Sequence, residues 1–133
     1  MFLPLFILSA PIIIADVQYR RIPNVYLGVL AYCLIPHLLV RGFGEFIPLL
    51  VFISAAFLMS FLGMGMGDFK LLSLIGVWLN IRADSSFGYF AALLLAISAT
   101  HILWASFKSS SIPNSIPMAP SIFLALSLYL ATQ

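Results

Sequence analysis

The chain has 133 residues, 63% of them hydrophobic and only 8% charged, whereas soluble domains run roughly 45–50% apolar and about 25% charged. Six Lys plus Arg and four Asp plus Glu, a net charge of +2, can neither coat a water-facing surface of this size nor neutralise a phosphate backbone. A soluble globular domain, a disordered chain and a nucleic-acid binder are therefore excluded, and the single cysteine, Cys33, excludes an internal disulfide, a CxxC redox motif and a cysteine zinc site.

A membrane span takes about 20 apolar residues, and the ten charges are sparse enough to act as punctuation. Residues 2–19 form the first predicted span, interrupted only by Asp16 and Gln18 and closed by Arg20-Arg21-Ile22-Pro23-Asn24. Proline cannot continue a helix and biases the residue before it toward extended backbone. This segment reads as a span and not as a secretory signal, because it has no basic leading region and Asp16 falls where the apolar core should end. The second span, 25–40, stops at Arg41-Gly42-Phe43-Gly44-Glu45, and the third, 46–62, runs into Gly63-Met64-Gly65-Met66-Gly67-Asp68. A shorter fourth span, 69–81, ends at Arg82; the fifth covers 87–107. A Ser/Pro-rich stretch, 108–120, then leads to a short sixth span, 121–132. The expected fold is an all-α polytopic membrane protein of about six transmembrane helices, one domain over residues 1–133.

Lys and Arg in short loops set orientation. With alternating sides, Arg20, Arg21, Lys70 and Lys108 share one face, and Arg41 and Arg82 the other. The richer face is expected to be cytoplasmic, with both termini outside.

A carboxylate in a span costs about 2.5–3.5 kcal/mol on insertion scales and is a functional hypothesis by default. Glu45 and Asp84 fall in loops and read as solvated. Asp16 and Asp68 do not: they sit at similar depth on the cytoplasmic side, one four residues before Arg20, the other at the end of the glycine run. Each has a plain reading, Asp16 as an (i, i+4) ion pair with Arg20 and Asp68 as the N-cap of the fourth helix. Gly63, Gly65 and Gly67, alternating with methionine, follow no helical face. They read either as a small-residue packing seam or as irregular backbone that lets a peptide approach Asp68. Two carboxyls facing one another across a wet cleft hold one proton between them. An ionised member can then deprotonate water while the protonated one polarises a scissile carbonyl. No other constellation competes. His37 and His101 lack a second His or acid at ligand spacing and read as packing or interfacial residues, no Gly-x-Ser-x-Gly is present, and no metal or cofactor is expected.

Two segments carry a family resemblance. Asp16-Val17-Gln18-Tyr19-Arg20-Arg21-Ile22-Pro23-Asn24 is similar to the first catalytic Asp and basic Ile-Pro-Asn turn of the type IV prepilin peptidases, membrane aspartyl proteases of the GxGD type. Gly65-Met66-Gly67-Asp68-Phe69-Lys70-Leu71-Leu72 resembles their Gly-x-Gly-Asp-x-Lys-Leu signature. Pro117-Met118-Ala119-Pro120 is a weaker third match, at the start of the last helix. The resemblance implies cleavage of the short basic leader of prepilin-like precursors at the cytoplasmic face of a bacterial inner membrane. Asp16 and Asp68 would be the catalytic pair, and Gly65, Gly67 and Lys70 would serve the substrate side. Arg20 and Arg21 are expected to act in topology and headgroup contact. The partners would be the precursor, with its leader and hydrophobic helix, and the bilayer. Members that also N-methylate carry paired CxxC motifs, which one cysteine cannot supply. The chain thus looks like the small peptidase-only branch of Flp or tight-adherence pilus systems, or a similarly compact relative in a conjugation or secretion system.

The alternative reading, from another class, is a small proton-coupled transporter or channel component with Asp16 and Asp68 as relay; a non-catalytic membrane scaffold is a third. A transporter would lose gradient-dependent flux, with leader processing intact, when either Asp becomes Asn. It gives no reason for the paired Asp-x-x-x-Arg-Arg-Ile-Pro-Asn and Gly-x-Gly-Asp-x-Lys patterns.

Overall fold

The computed structural model describes residues 3–42, 44–61, 65–81, 87–109 and 117–132. They form six α-helices and no strand: α1 Leu3–Tyr19, α2 Asn24–Arg41, α3 Phe46–Phe61, α4 Met66–Asn80, α5 Phe87–Ser109 and α6 Ala119–Ala131. Five of these lie within two residues of the predicted spans at their described ends. The exception is the start of α4, which begins at Met66, three residues ahead of the predicted Phe69. Gly63 and Asp84 lie outside the described residues.

Helix neighbours close a ring in the order α1, α2, α4, α3, α5, α6 and back to α1, with the α5–α6 and α3–α4 interfaces the most extensive. The buried residues of α2, Leu27, Leu30 and Leu34, recur at three and four residues and so share one stripe. On α4, Leu71, Leu72, Ile75, Trp78 and Leu79 are buried, and Gly76 is small because a Cβ there would meet the Phe52 ring of α3 at 2.8 Å. Tyr129 of α6 takes the edge of Phe90 from α5, with ring centroids 5.8 Å apart. His37 packs edge-on against Trp78 at 5.4 Å, as its packing reading expects.

Outside this core the surface is apolar. Leu39, Val40 and Phe107 are each more than four-fifths exposed. By length and composition two helices are long and apolar enough to cross a membrane, Asn24–Arg41 and Phe87–Phe107, and α1, α3 and α6 are shorter apolar helices. At 1.5 Å per residue α6 is only about 20 Å long and α4 about 22 Å, short of the ~30 Å hydrocarbon layer.

Candidate active site

The turn after α1 is built tightly. Arg20 adopts φ 51°, the only positive-φ non-glycine residue among those described, and its N–H donates to the Asp16 carbonyl at 2.8 Å. This is the left-handed C-terminal cap that glycine usually supplies; arginine there costs about 1 kcal/mol. The reversal swings Ile22 inward, where it is 8% exposed. Pro23 then precedes α2 in an extended conformation, φ −60° and ψ 131°. Because α1 ends at Tyr19, Arg20 lies one residue beyond the helix that carries Asp16, in the turn itself. Arg20 and Arg21 are both exposed.

The second arm also departs from expectation. Gly65, with φ −62° and ψ 144°, is the N-cap of α4, and the Phe69 N–H closes the first turn on its carbonyl at 3.1 Å. Asp68 is therefore not the cap but lies inside the first turn, from which its carboxyl reaches back to the Gly65 amide. That is the return arm of a capping box. Gly67 is helical, and neither Gly65 nor Gly67 has positive φ. Their lack of a side chain serves proximity instead. A Cβ on Gly65 would lie 3.1 Å from Asp68 Oδ2, and one on Gly67 would lie 3.2 Å from Ile22 Cβ and 3.4 Å from Ile22 N. What approaches Gly67 is the chain's own Ile22.

These two arms meet. Asp16 and Asp68 line one cleft of about 290 Å³ together with Arg20, Arg21, Gly65, Gly67 and Lys70. Both acids are buried, 4% and 7% exposed, and they interact electrostatically. Lys70, expected on the substrate side, donates its ammonium to Asn24 Oδ1 at 3.1 Å, tying α4 to the first residue of α2. Lys70→Met and Asn24→Ala are expected to show a coupling of about 0.5–1 kcal/mol in a double-mutant cycle of thermal unfolding. Strictly additive losses would remove the tether.

A third element enters, the start of α6, which the sequence matched only weakly and to which it gave no role at the site. The Ala119 N–H, in the first turn of α6, donates to Asp16 Oδ2 at 2.9 Å in a buried contact, with the Met118 amide beside it. Ala119 and Pro120 occupy the first two positions of the helix, after the cap Met118. Each carboxyl thus faces a helix N-terminus, α6 for Asp16 and α4 for Asp68, where free amides and the helix dipole favour an anion. Pro120 at the helix start is the sequence signal for where these amides lie, but a backbone amide bears no residue code pointing at Asp16. His101, read as packing, places Nδ1 2.9 Å from Ser121 Oγ. Asp68 Oδ1 is buried with no hydrogen-bond partner among the described residues. No group of three His, Cys, Asp or Glu among those residues could hold a metal ion.

Two carboxyls from different helices, brought into one cleft of an all-helical apolar bundle and each met by a helix start, define a class: a helical-bundle protein with a paired-acid site. The sequence model of the type IV leader peptidase family matches residues 1–128. The chain belongs to that family of peptidases. No curated protein and no solved structure matches it significantly.

Proposed function

We propose that the chain is a multi-pass membrane aspartic endopeptidase of the GxGD type. It removes the short basic leader of prepilin-like precursors at the cytoplasmic face of a bacterial inner membrane. The observation that carries this reading is the convergence of Asp16 and Asp68 on one cleft in a chain of the leader peptidase family.

A bilayer is supported by more than helix length. Half-buried Ser9, Ser60 and Ser127 and exposed Thr100 each donate a hydroxyl to the carbonyl three residues earlier on their own helix, at 2.6–2.8 Å. Hydroxyls facing water need no such partner; in hydrocarbon they do. Pro11 and Pro36 lie inside α1 and α2, as transmembrane helices tolerate. The exposed Arg20 and Arg21 at the cleft suit contact with anionic headgroups, worth about 1 kcal/mol each.

In the proposed chemistry the pair shares one proton. The ionised Asp takes a proton from water as its oxygen attacks the scissile carbonyl carbon, and the protonated Asp gives its proton to the carbonyl oxygen. The resulting gem-diol collapses: the first Asp delivers its proton to the leaving nitrogen, the second recovers one from a diol hydroxyl, and the C–N bond breaks. The dyad ends as it began.

Coexpression with a precursor bearing a basic leader and an apolar helix tests the reading, with leader removal read by gel mobility. A precursor that stays full-length beside abundant, membrane-inserted enzyme would count against it. Cleavage in purified membranes is also expected to survive a strong chelator. Activity lost on chelation and restored by Zn²⁺ would replace the aspartyl mechanism with a metal-dependent one.

A further inference from the structure

We infer that His101, acting through Ser121, positions the α6 amide that holds the Asp16 carboxyl, so that His101 is a positioning residue for the cleavage proposed above, on which this inference rests. Ala119, whose N–H meets Asp16 Oδ2 at 2.9 Å, and Ser121, whose Oγ meets His101 Nδ1 at 2.9 Å, share the first turn of α6. Anything that turns or slides this end of α6 moves the Ala119 N–H away from the carboxylate oxygen.

The two ends of the α5–α6 pair are held differently. At the C-terminal end of α6, Tyr129 packs on Tyr89 and Phe90 of α5 with ring centroids 6.0 and 5.8 Å apart. Apolar contacts of that kind tolerate small rotations and slides. Near the start of α6 the helices flank a cleft of about 410 Å³, lined by Thr100, His101, Trp104, Pro120 and Ser121 among others. Ala119 and Ile122 are buried on the inner side of this end, and across the outer cleft the His101 side chain adds a directional hydrogen bond to Ser121. Ser121 is only 2% exposed, so its hydroxyl depends on a protein partner. Nδ1 can accept from the Ser121 hydroxyl or donate to its oxygen; the geometric constraint on α6 is the same in both cases.

The test uses three single variants and one double variant of the full chain in bilayers with a cleavable precursor. His101→Leu keeps bulk without a hydrogen bond, Ser121→Ala removes the other partner, and His101→Asn returns a hydrogen-bonding atom near the position of Nδ1. A displaced supporting group costs on the order of tenfold. His101→Leu and Ser121→Ala are accordingly expected to lower kcat about tenfold with little change in KM, the double variant is expected to fall no further, and His101→Asn to recover most of the loss. A second readout is independent of catalysis. The Ala119 amide proton, shifted downfield by its carboxylate partner, should move upfield in His101→Leu and Ser121→Ala and return in His101→Asn.

Parental kcat and an unmoved Ala119 resonance in His101→Leu would overturn the inference. So would a loss that tracks the amount of folded protein and is not relieved by His101→Asn. If the parent cleaves no precursor, yet the resonance responds as expected, the positioning stands and the peptidase reading alone fails.

Discussion

Asp16→Asn and Asp68→Asn should each lower leader cleavage by about 10²-fold or more, the loss expected for a missing general acid or base. The double variant should sit near the same residual rate, because members of one catalytic unit are non-additive. The structure makes these substitutions clean. The side-chain amide oxygen that Asp16→Asn leaves in place can still accept from the Ala119 N–H, which meets Asp16 Oδ2 at 2.9 Å, so the α6 start keeps its anchor. Asp68 goes further, since its carboxyl is buried in one cleft with a second acid. A buried charge beside a second acid is a cost to folding that the neutral amide does not carry, and a costly group retained at a functional site is the usual trade between activity and stability. Asp68→Asn is therefore expected to unfold at or above the parental temperature while cleaving almost nothing. Membrane levels, thermal unfolding in detergent and precursor cleavage, measured together, check both halves. Either single variant retaining more than about a tenth of parental cleavage would end the dyad reading for that residue.

Most of this fold is legible because charge is so scarce. Each polar cluster, Arg20-Arg21, Arg41 to Glu45 and the rest, interrupts an apolar run long enough to be a helix, so helix order and most ends follow from punctuation alone. The α4 start escapes for a physical reason. Glycine is a poor helix former, and a run of three reads as broken backbone. Yet Gly67 lies inside α4, because close packing against Ile22 outweighs a propensity term of about 1 kcal/mol. The two acids are legible because carboxylates in apolar segments need a reason. Their supports are not. Ala119 contributes a backbone N–H, and nothing in an alanine side chain marks it. His101 and Ser121 are 20 residues apart on neighbouring helices, and only the rotation of α6 about its own axis decides whether they meet. Lys70 carries a signature position, but its bond to Asn24 depends on where the α1–α2 turn is folded.

Gly67→Val is expected to abolish cleavage while leaving a folded, membrane-inserted protein, and the reason lies in what Gly67 touches. A Cβ at this position would stand 3.2 Å from Ile22 Cβ and 3.4 Å from Ile22 N, already tight; the two γ-carbons of valine need more room again. Gly67 sits on α4 beside Asp68, and Ile22 sits in the turn that follows Asp16, so the added bulk pushes apart the two arms that bring the acids together. Ile22 cannot swing away as a flexible side chain would, because its backbone nitrogen is among the close atoms. Pro23, with fixed φ, follows it. Overpacking of this kind costs about 1–3 kcal/mol, which a bundle of this size can absorb as a local shift. Misplacing a catalytic group by about 1 Å costs on the order of 10²-fold in rate, which the chemistry cannot absorb. Gly67→Ala, needing the neighbours to give by only a few tenths of an ångström, should keep a reduced but measurable rate, so the series Gly, Ala, Val should fall steeply with side-chain volume. Ile22→Gly in the Gly67→Val background, which removes the nearest atom, Ile22 Cβ at 3.2 Å, should restore part of the activity by reopening the contact. Full activity in Gly67→Val, or no recovery on trimming Ile22, would show that the separation of the two acids does not pass through this contact.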